Sequence, residues 1–392
     1  MKSKNQVIVI LSILLFALYC SKENSEQTPS DIDIPPPDHV TIEMVSGVPF
    51  VHNASIGYSD VQLEPDLVLG DESSGIFFST PGKVREDLYG NIFVSNSKES
   101  QIIKYSNDGQ FIRTIGRQGE GPGEFVKRGL TDFCFLSDGR LIAYGNSKQR
   151  YQLFDNDGNY LDTVIRPVRE FAVNSKNELY ESAGLYSIEN NSNEPMYYLV
   201  EKLDREFKHI HYLGKKPGLA KHVKLPKTGN GRDLNNYYIA NSKRIIESDV
   251  ELKTDNKDNL YILYQSKNLI EVYKADTLAL MIDRELSYEY FEPHLANNTF
   301  RVPLVAYDFD VDNNGNIYVL TSNIDTRKMT TTEIVKENEN NCYLEIFNRK
   351  GWLLYCIPMK NISPKKISIG QGNKIYLNDG YTYQITRYKA LF

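Results

Sequence analysis

Apolar residues in this chain come in short runs separated by clusters of Gly, Asn, Asp and Ser, the patterning of strands joined by tight turns. One phrase recurs: a polar turn residue, then an apolar–aromatic pair that begins a strand. It reads Gly90-Asn91-Ile92-Phe93-Val94, Gly139-Arg140-Leu141-Ile142, Glu178-Leu179-Tyr180, Asn259-Leu260-Tyr261-Ile262, Gly315-Asn316-Ile317-Tyr318-Val319 and Lys374-Ile375-Tyr376-Leu377. Spaced copies of one supersecondary unit predict a modular fold.

Residues 83–116 show the unit in full. Strands are predicted at Lys83–Arg85, Ile92–Ser95, Ile102–Tyr105 and Phe111–Ile115, with turns at Asp87–Gly90, Asn96–Ser100 and Asn107-Asp108-Gly109. The pattern returns at 130–165, at 169–214, at 246–286 and at 304–360. The last unit, Ile367–Tyr388, supplies three strands. Its fourth is expected from the other end of the chain, where Asp66-Leu67-Val68-Leu69-Gly70 resembles the outer strands ending Ile115-Gly116 and Leu213-Gly214. Such pairing closes a ring and removes exposed sheet edges. The expected fold is all-β, a six-bladed β-propeller. Tyr180 to Asn259 has the length for a seventh blade, but its centre, Lys215–Arg232, lacks the phrase and reads as an inter-blade loop.

The first nineteen residues stand outside this pattern. Lys2 and Lys4 precede an apolar run from Val7 to Tyr19, the shape of a secretory signal. It ends Ala17-Leu18-Tyr19-Cys20, which resembles the lipobox of bacterial lipoproteins, in which the Cys thiol takes a diacylglycerol. That resemblance implies lipidation at Cys20 and a membrane partner held through the acyl chains. Tyr19 departs from the small residue usual before that Cys. Ser21–Asp38 is polar with Pro35-Pro36-Pro37 and reads as a tether. The expected organisation is therefore 1–19 signal peptide, 20–38 lipidated Cys and tether, and 39–392 propeller. Ser21 after the Cys resembles lipoproteins sent on to the outer membrane, periplasmic or surface-exposed, and Lys22-Glu23 is a candidate surface-export signal.

Without residues 1–19 the chain has 43 basic against 51 acidic side chains, a net charge of −8. Scattered basic residues in an acidic chain exclude the basic stripe that nucleic acid requires. The 27 tyrosines read first as strand formers, with an aromatic binding face as the sharper alternative. Cys134, Cys342 and Cys356 are expected as buried free thiols. Cys342 and Cys356 flank a hairpin and would bridge only if its register paired them.

The decapeptide Gly116-Arg117-Gln118-Gly119-Glu120-Gly121-Pro122-Gly123-Glu124-Phe125 follows Asp108-Gly109-x-Phe111-Ile112-Arg113-Thr114-Ile115. Together they resemble the signature of six-bladed propeller lipoproteins of Gram-negative bacteria, relatives of NHL-repeat propellers. The resemblance implies a fold and an envelope location, and it brings no catalytic set. The decapeptide is no phosphate cradle, because Glu120 and Glu124 repel phosphate and no Lys-Ser/Thr follows. Its glycines let the chain cross between blades.

In a propeller, the loops joining fourth to first strands and second to third strands share one face, the usual site in this architecture. Candidate ligand-binding residues on those loops are Arg117, Gln118, Glu120, Glu124, Arg150, His222, Arg232, Tyr237 and Tyr238. No cofactor is expected, with Ca2+ the weak exception. Asp308, Asp310 and Asp312 alternate on a channel-lining strand, which makes Asp308 and Asp310 weak metal candidates, although Asp312-Asn313-Asn314-Gly315 already reads as a turn that Asp310 is placed to cap. No nucleophile elbow, His-Glu-x-x-His or acid/base pair is present. The leading expectation is a lipid-anchored, non-catalytic binding module for a glycan, a peptide or a partner protein of the envelope. The alternatives are an envelope hydrolase or lyase acting on a sugar or lactone at the pore mouth, and a structural subunit of a surface complex.

Overall fold

Three copies of the recurring phrase, and the strand Tyr160–Ile165, share a physical origin one turn upstream. In the computed structural model, Asp87, Asp155, Asp255 and Asp312 each open a turn that ends on an Asn four residues later. One carboxylate oxygen accepts the backbone N–H groups two and four positions on at 2.8–2.9 Å, and the other accepts the Asn amide at 2.7–2.9 Å. The position before the Asn is left-handed, with φ of 79° at Gly90, 81° at Gly158, 62° at Asp258 and 81° at Gly315. The Asp thus satisfies the turn's donors locally and aims the next strand back along its predecessor. Asp312, not Asp310, caps the turn of the fifth unit, because Asp310 is engaged elsewhere.

The structure describes residues 34–392 except 72–74, 146–148, 183–197, 215–248, 287–293, 297–298, 302–304, 323, 326–328, 330–340, 361 and 392. No helix among the described residues is long and apolar enough to cross a membrane. The chain forms a six-bladed β-propeller. Blade one comprises Pro81–Glu86, Ile92–Asn96, Gln101–Tyr105 and Phe111–Ile115. Blade two comprises Leu130–Phe135, Leu141–Gly145, Arg150–Phe154 and Tyr160–Ile165. Blade three comprises Glu170–Val173, Leu179–Ser182, Val200–Leu203 and His209–Leu213. Blade four is built on Val250–Thr254, Leu260–Tyr264, Leu269–Lys274 and Thr277–Arg284. Blade five comprises Ala306–Val311, Ile317–Ser322, Cys342–Phe347 and Leu353–Pro358. Blade six takes Pro364–Ile369, Ile375–Asp379 and Ile385–Leu391 from the C-terminus and Gln62–Leu69 from the N-terminal side, with Leu67 opposite Arg387 and Leu69 opposite Ile385.

Second strands are buried along their whole length in blades one, two, four and five, since both of their faces meet neighbouring blades. Six apolar clusters form among the described residues, one at each blade junction. The junction of blades six and one packs Leu69, Tyr376 and Ile385 on Ile92, Val94 and Tyr105. The only tryptophan, Trp352, belongs to the cluster between blades four and five.

Blade four carries an addition that the repeat pattern did not signal. Val48–Asn53 pairs in parallel with Thr277–Arg284, and Val40–Val45 pairs antiparallel beyond it, making a six-stranded sheet. Buried Asn53 donates to the carbonyls of Asp283 at 2.8 Å and Gly351 at 3.0 Å, and accepts the Leu353 N–H at 2.7 Å. Ser59 then exchanges two hydrogen bonds with the Cys356 backbone. The segment before the repeats thus straps blades four and five before it enters blade six. Cys134, Cys342 and Cys356 are free and buried. Cys356 stands opposite Glu345 and Cys342 opposite Ser322, so the register does not pair them. Burial pushes both thiols up to about 12.

Candidate functional site

Inner strands line the centre of a propeller, and a side chain directed there leaves the apolar junctions for a shared space. Six charged residues, one per blade, occupy the same strand position: Lys83, Asp132, Glu170, Glu251, Asp308 and Lys366. Two residues on, a second tier holds Arg85, Cys134, Ala172, Lys253, Asp310 and Ser368.

The upper tier closes the channel. The Lys83 ammonium reaches across from blade one to Glu251 of blade four at 3.1 Å and to Asp308 of blade five at 2.6 Å. Lys366 adds contacts to Glu251 at 3.0 Å and to Asp308 at 3.8 Å. Asp308 also accepts the Ile367 N–H at 2.9 Å. Lys83, Glu251 and Asp308 are all buried, so each charge depends on the others for the solvation it has lost. Burial opposes ionisation of Glu251, yet the Lys366 and Lys83 ammonium groups outweigh it and hold the carboxyl well below its usual range. Burial likewise opposes the charge on Lys83, and Asp308 and Glu251 more than restore it.

Above this floor lies a cavity of about 340 Å³ lined by Lys83, Asp132, Glu170, Lys365, Lys366 and Tyr383, among others. It opens on the face of the fourth-to-first and second-to-third connections. Below the floor, a second cavity of about 270 Å³ is lined by Arg85, Cys134, Lys253, Thr254 and Asp310. Its charges are matched: Arg85 faces Asp132 at 3.4 Å and Lys253 faces Asp310 at 3.3 Å. Burial pushes the Cys134 thiol up to about 11, which keeps it protonated.

Glu170 differs from the rest of the ring. It has no hydrogen-bond or ion-pair partner among the described residues. Burial first, and the Glu251 carboxylate second, push its pKa well above the ordinary carboxylate range, against the pull of Lys83 and Lys366. Beside it, Asp249 is raised by burial while paired with Arg169.

Of the ligand-binding candidates read from the sequence, those among the described residues do not line the upper cavity. Arg117 is exposed and pairs with Glu124 at 2.7 Å, and Gln118 lies in a two-residue parallel pairing opposite Phe125. The Arg150 guanidinium donates to the carbonyls of Glu120 at 3.1 Å, Gly121 at 3.3 Å and Glu124 at 2.8 Å, and the Glu124 carboxylate accepts the Gly121 N–H at 2.9 Å. Arg150 and Glu124 thus fold the glycine-rich loop onto blade two, which is the structural role its glycines suggested. Cys20, His222, Arg232, Tyr237 and Tyr238 lie outside the described residues. Lysines meet the two aspartates considered for a cation. Asp308 faces Lys83 and Lys366, while Asp310 faces Lys253 and accepts the Ile369 N–H at 2.8 Å. Among the described residues no group of three or more His, Cys, Asp or Glu is disposed to hold a metal ion.

Sequence reasoning placed Asp308 on a channel-lining strand but missed the ring it belongs to, although a signal for it existed. Each member stands nine positions before the first apolar residue of the recurring phrase: Lys83 before Ile92, Asp132 before Leu141, Glu170 before Leu179, Glu251 before Leu260, Asp308 before Ile317 and Lys366 before Ile375.

Comparison with known proteins bears on the fold. Residues 77–242 match the model of a family described as a 6-bladed β-propeller. No curated protein sequence matches the chain at a significant level. Among solved structures, the chain is similar to a Bacteroides fragilis protein described as exported, at 12% identity over 88% of this chain and 100% of that one, with a TM-score of 0.57. A member of the DUF4221 family from Bacteroides vulgatus is 8% identical over 84% of this chain and 98% of that one, with a TM-score of 0.53. Virginiamycin B lyase from Staphylococcus aureus is 10% identical over 85% of this chain and all of that one, with a TM-score of 0.47. At such identities the likeness concerns the fold alone.

Proposed function

We propose that this six-bladed propeller is a lipid-anchored binding module of the cell envelope that takes a small polar ligand, a glycan unit or the end of a peptide, in the cavity above its central ion cluster. The observation that carries the reading is the floor. A channel sealed by Lys83, Glu251, Asp308 and Lys366 leaves a blind, shaped cavity with polar groups converging on it, the form of a small-molecule site. Charges locked by one another keep that floor rigid, so a ligand need not organise it.

The test is to fill the cavity. Thr131 lines its wall and is no member of the ion cluster, so Thr131→Arg would occupy the space and leave the cluster's own residues in place. In a thermal-shift screen of mono- and oligosaccharides and short peptides, a stabilising hit should lose its effect in this variant. Hits that keep their full effect would place the site elsewhere and overturn the reading.

Anchoring is the second part of the proposal. It rests on the apolar run to Tyr19 and on Cys20 at its end, with an outer-membrane destination suggested by Ser21. Cells fed a labelled fatty acid should label the protein, and Cys20→Ala should abolish the label. Equal labelling of both forms would end that part of the proposal.

One observation favours a rival. Glu170 lines the cavity and burial raises its carboxyl well above the ordinary range, the direction a general acid requires. An envelope hydrolase or lyase acting on a sugar or lactone would use it as proton donor. A bound ligand recovered chemically unchanged after long incubation would retire this alternative.

A further inference from the structure

Around the upper cavity, carboxylates and cations come in matched sets. Lys83 and Lys366 answer Glu251 and Asp308, Arg85 answers Asp132 from below, and Arg169 answers Asp249 at the rim. Of the remaining rim groups, the Lys365 ammonium lies over the Tyr307 ring, 5.5 Å from its centroid. Asp379 accepts bonds from the Tyr381 N–H at 3.0 Å and the Thr382 hydroxyl at 3.0 Å. Glu170 alone among the cavity's carboxyls has no partner among the described residues, and it lines the wall. Among the described residues the ion cluster leaves no channel-centre cation free to receive an anion, and one carboxyl is left over to receive a cation.

We infer that the ligand of the upper cavity carries a protonated amine, and that this ammonium group pairs with the Glu170 carboxylate. The inference rests on the cavity reading above and specifies its ligand. Burial and the neighbouring Glu251 raise the Glu170 carboxyl well above its ordinary range, so below that raised value binding exchanges one positive charge for another. The ammonium enters, the Glu170 O–H bond breaks, and its proton passes to solvent while the electron pair stays on the carboxylate. An N-terminal peptide amine and an amino sugar both offer the required group.

A glycyl dipeptide amide with a free α-amine, measured against its N-acetylated twin by titration calorimetry, tests this. The free amine should bind and the acetylated form should not. Affinity should rise by up to tenfold per pH unit above the ordinary carboxylate range, with about one proton released per ligand. Glu170→Gln should erase that slope and weaken binding at least tenfold. Its fold is checked independently. The native protein holds a proton that the unfolded chain gives up once the pH exceeds the ordinary Glu value of 4.5, so Glu170 costs stability as pH rises. The Gln variant escapes that cost, and its melting temperature should equal or exceed the parent's at neutral pH. Glu170→Asp, which keeps the charge, should retain the pH slope with weaker binding. Equal binding of both peptides, or binding of the amine with no pH slope, overturns the inference. If a neutral saccharide binds in a manner that Thr131→Arg abolishes and the amine does not bind, the inference falls and the cavity reading stands. If nothing binds in that manner, both fall.

Discussion

A chain that begins at Asp71 is expected to lose its single cooperative unfolding transition and to self-associate. Removing Gln62–Leu69 strips the outer strand from blade six and leaves the backbone groups of Ile385–Leu391 unpaired along an exposed edge, which is a template for another chain. It also takes Leu69 out of the junction between blades six and one and deletes Asn53, whose three hydrogen bonds hold blade four to blade five. A whole domain is stable by only about 5–15 kcal/mol, so the loss of one strand from a closed ring is of the same order as the total. Urea unfolding followed by the fluorescence of Trp352, together with size-exclusion chromatography, would show it. A rearranged chain separates the strand from the strap. Gln62 lies opposite Leu391, so fusing Gln62–Gly70 after the C-terminus through a short turn rebuilds the pair as a hairpin. That chain should recover most of the lost stability while still lacking the strap. An unchanged midpoint in the simple truncation would show that the ring does not depend on this strand.

Lys83→Met should destabilise the protein by about 3–5 kcal/mol, the usual cost of removing one partner from a buried ion cluster. It leaves Glu251 and Asp308 with Lys366 alone, at 3.0 Å and 3.8 Å. The pH dependence has a definite sign. Glu251 is held ionised below its ordinary range, so its contribution is present above the unfolded value of 4.5 and is lost as pH falls through the folded value. Without Lys83 the folded value must rise, and the acid limb of the stability profile should move to higher pH. Adding Asp308→Asn removes the stranded charge and should restore part of the loss. A Lys83→Met protein within about 1 kcal/mol of the parent would mean that the cluster is not the sealed, desolvated floor described above.

The architecture was legible because it is written locally. An Asp that caps a turn, a left-handed residue before an Asn, and the apolar run that follows recur within a few positions of one another at Asp87–Asn91, Asp255–Asn259 and Asp312–Asn316, so those copies can be recognised alone. The closing strand could be read for the same reason, since Leu67-Val68-Leu69-Gly70 repeats the ending of other outer strands. The N-terminal hairpin could not. Val48–Asn53 pairs with a strand about 230 residues later, and nothing near it in the chain announces that partner. The central ring was hidden more deeply. Asp308 could be placed on a channel-lining strand, but Lys83 lies 225 positions away, and their relation emerges only when every blade is aligned on its own phrase. The loops drew attention by composition, yet Arg150 and Glu124 prove to be the fastening of a glycine-rich crossing.

The strap and the closing strand also fix an order of events during synthesis. Residues 40–69 leave the ribosome first, but their partners are Thr277–Arg284, Gly351–Cys356 and Ile385–Leu391. Asp66 must wait for Arg387, 321 positions downstream. Contacts so distant along the chain are slow to form, because loop closure must precede any gain from them. The nascent polypeptide therefore cannot close its ring until Ile385–Leu391 has emerged. The delay is a property of the topology itself.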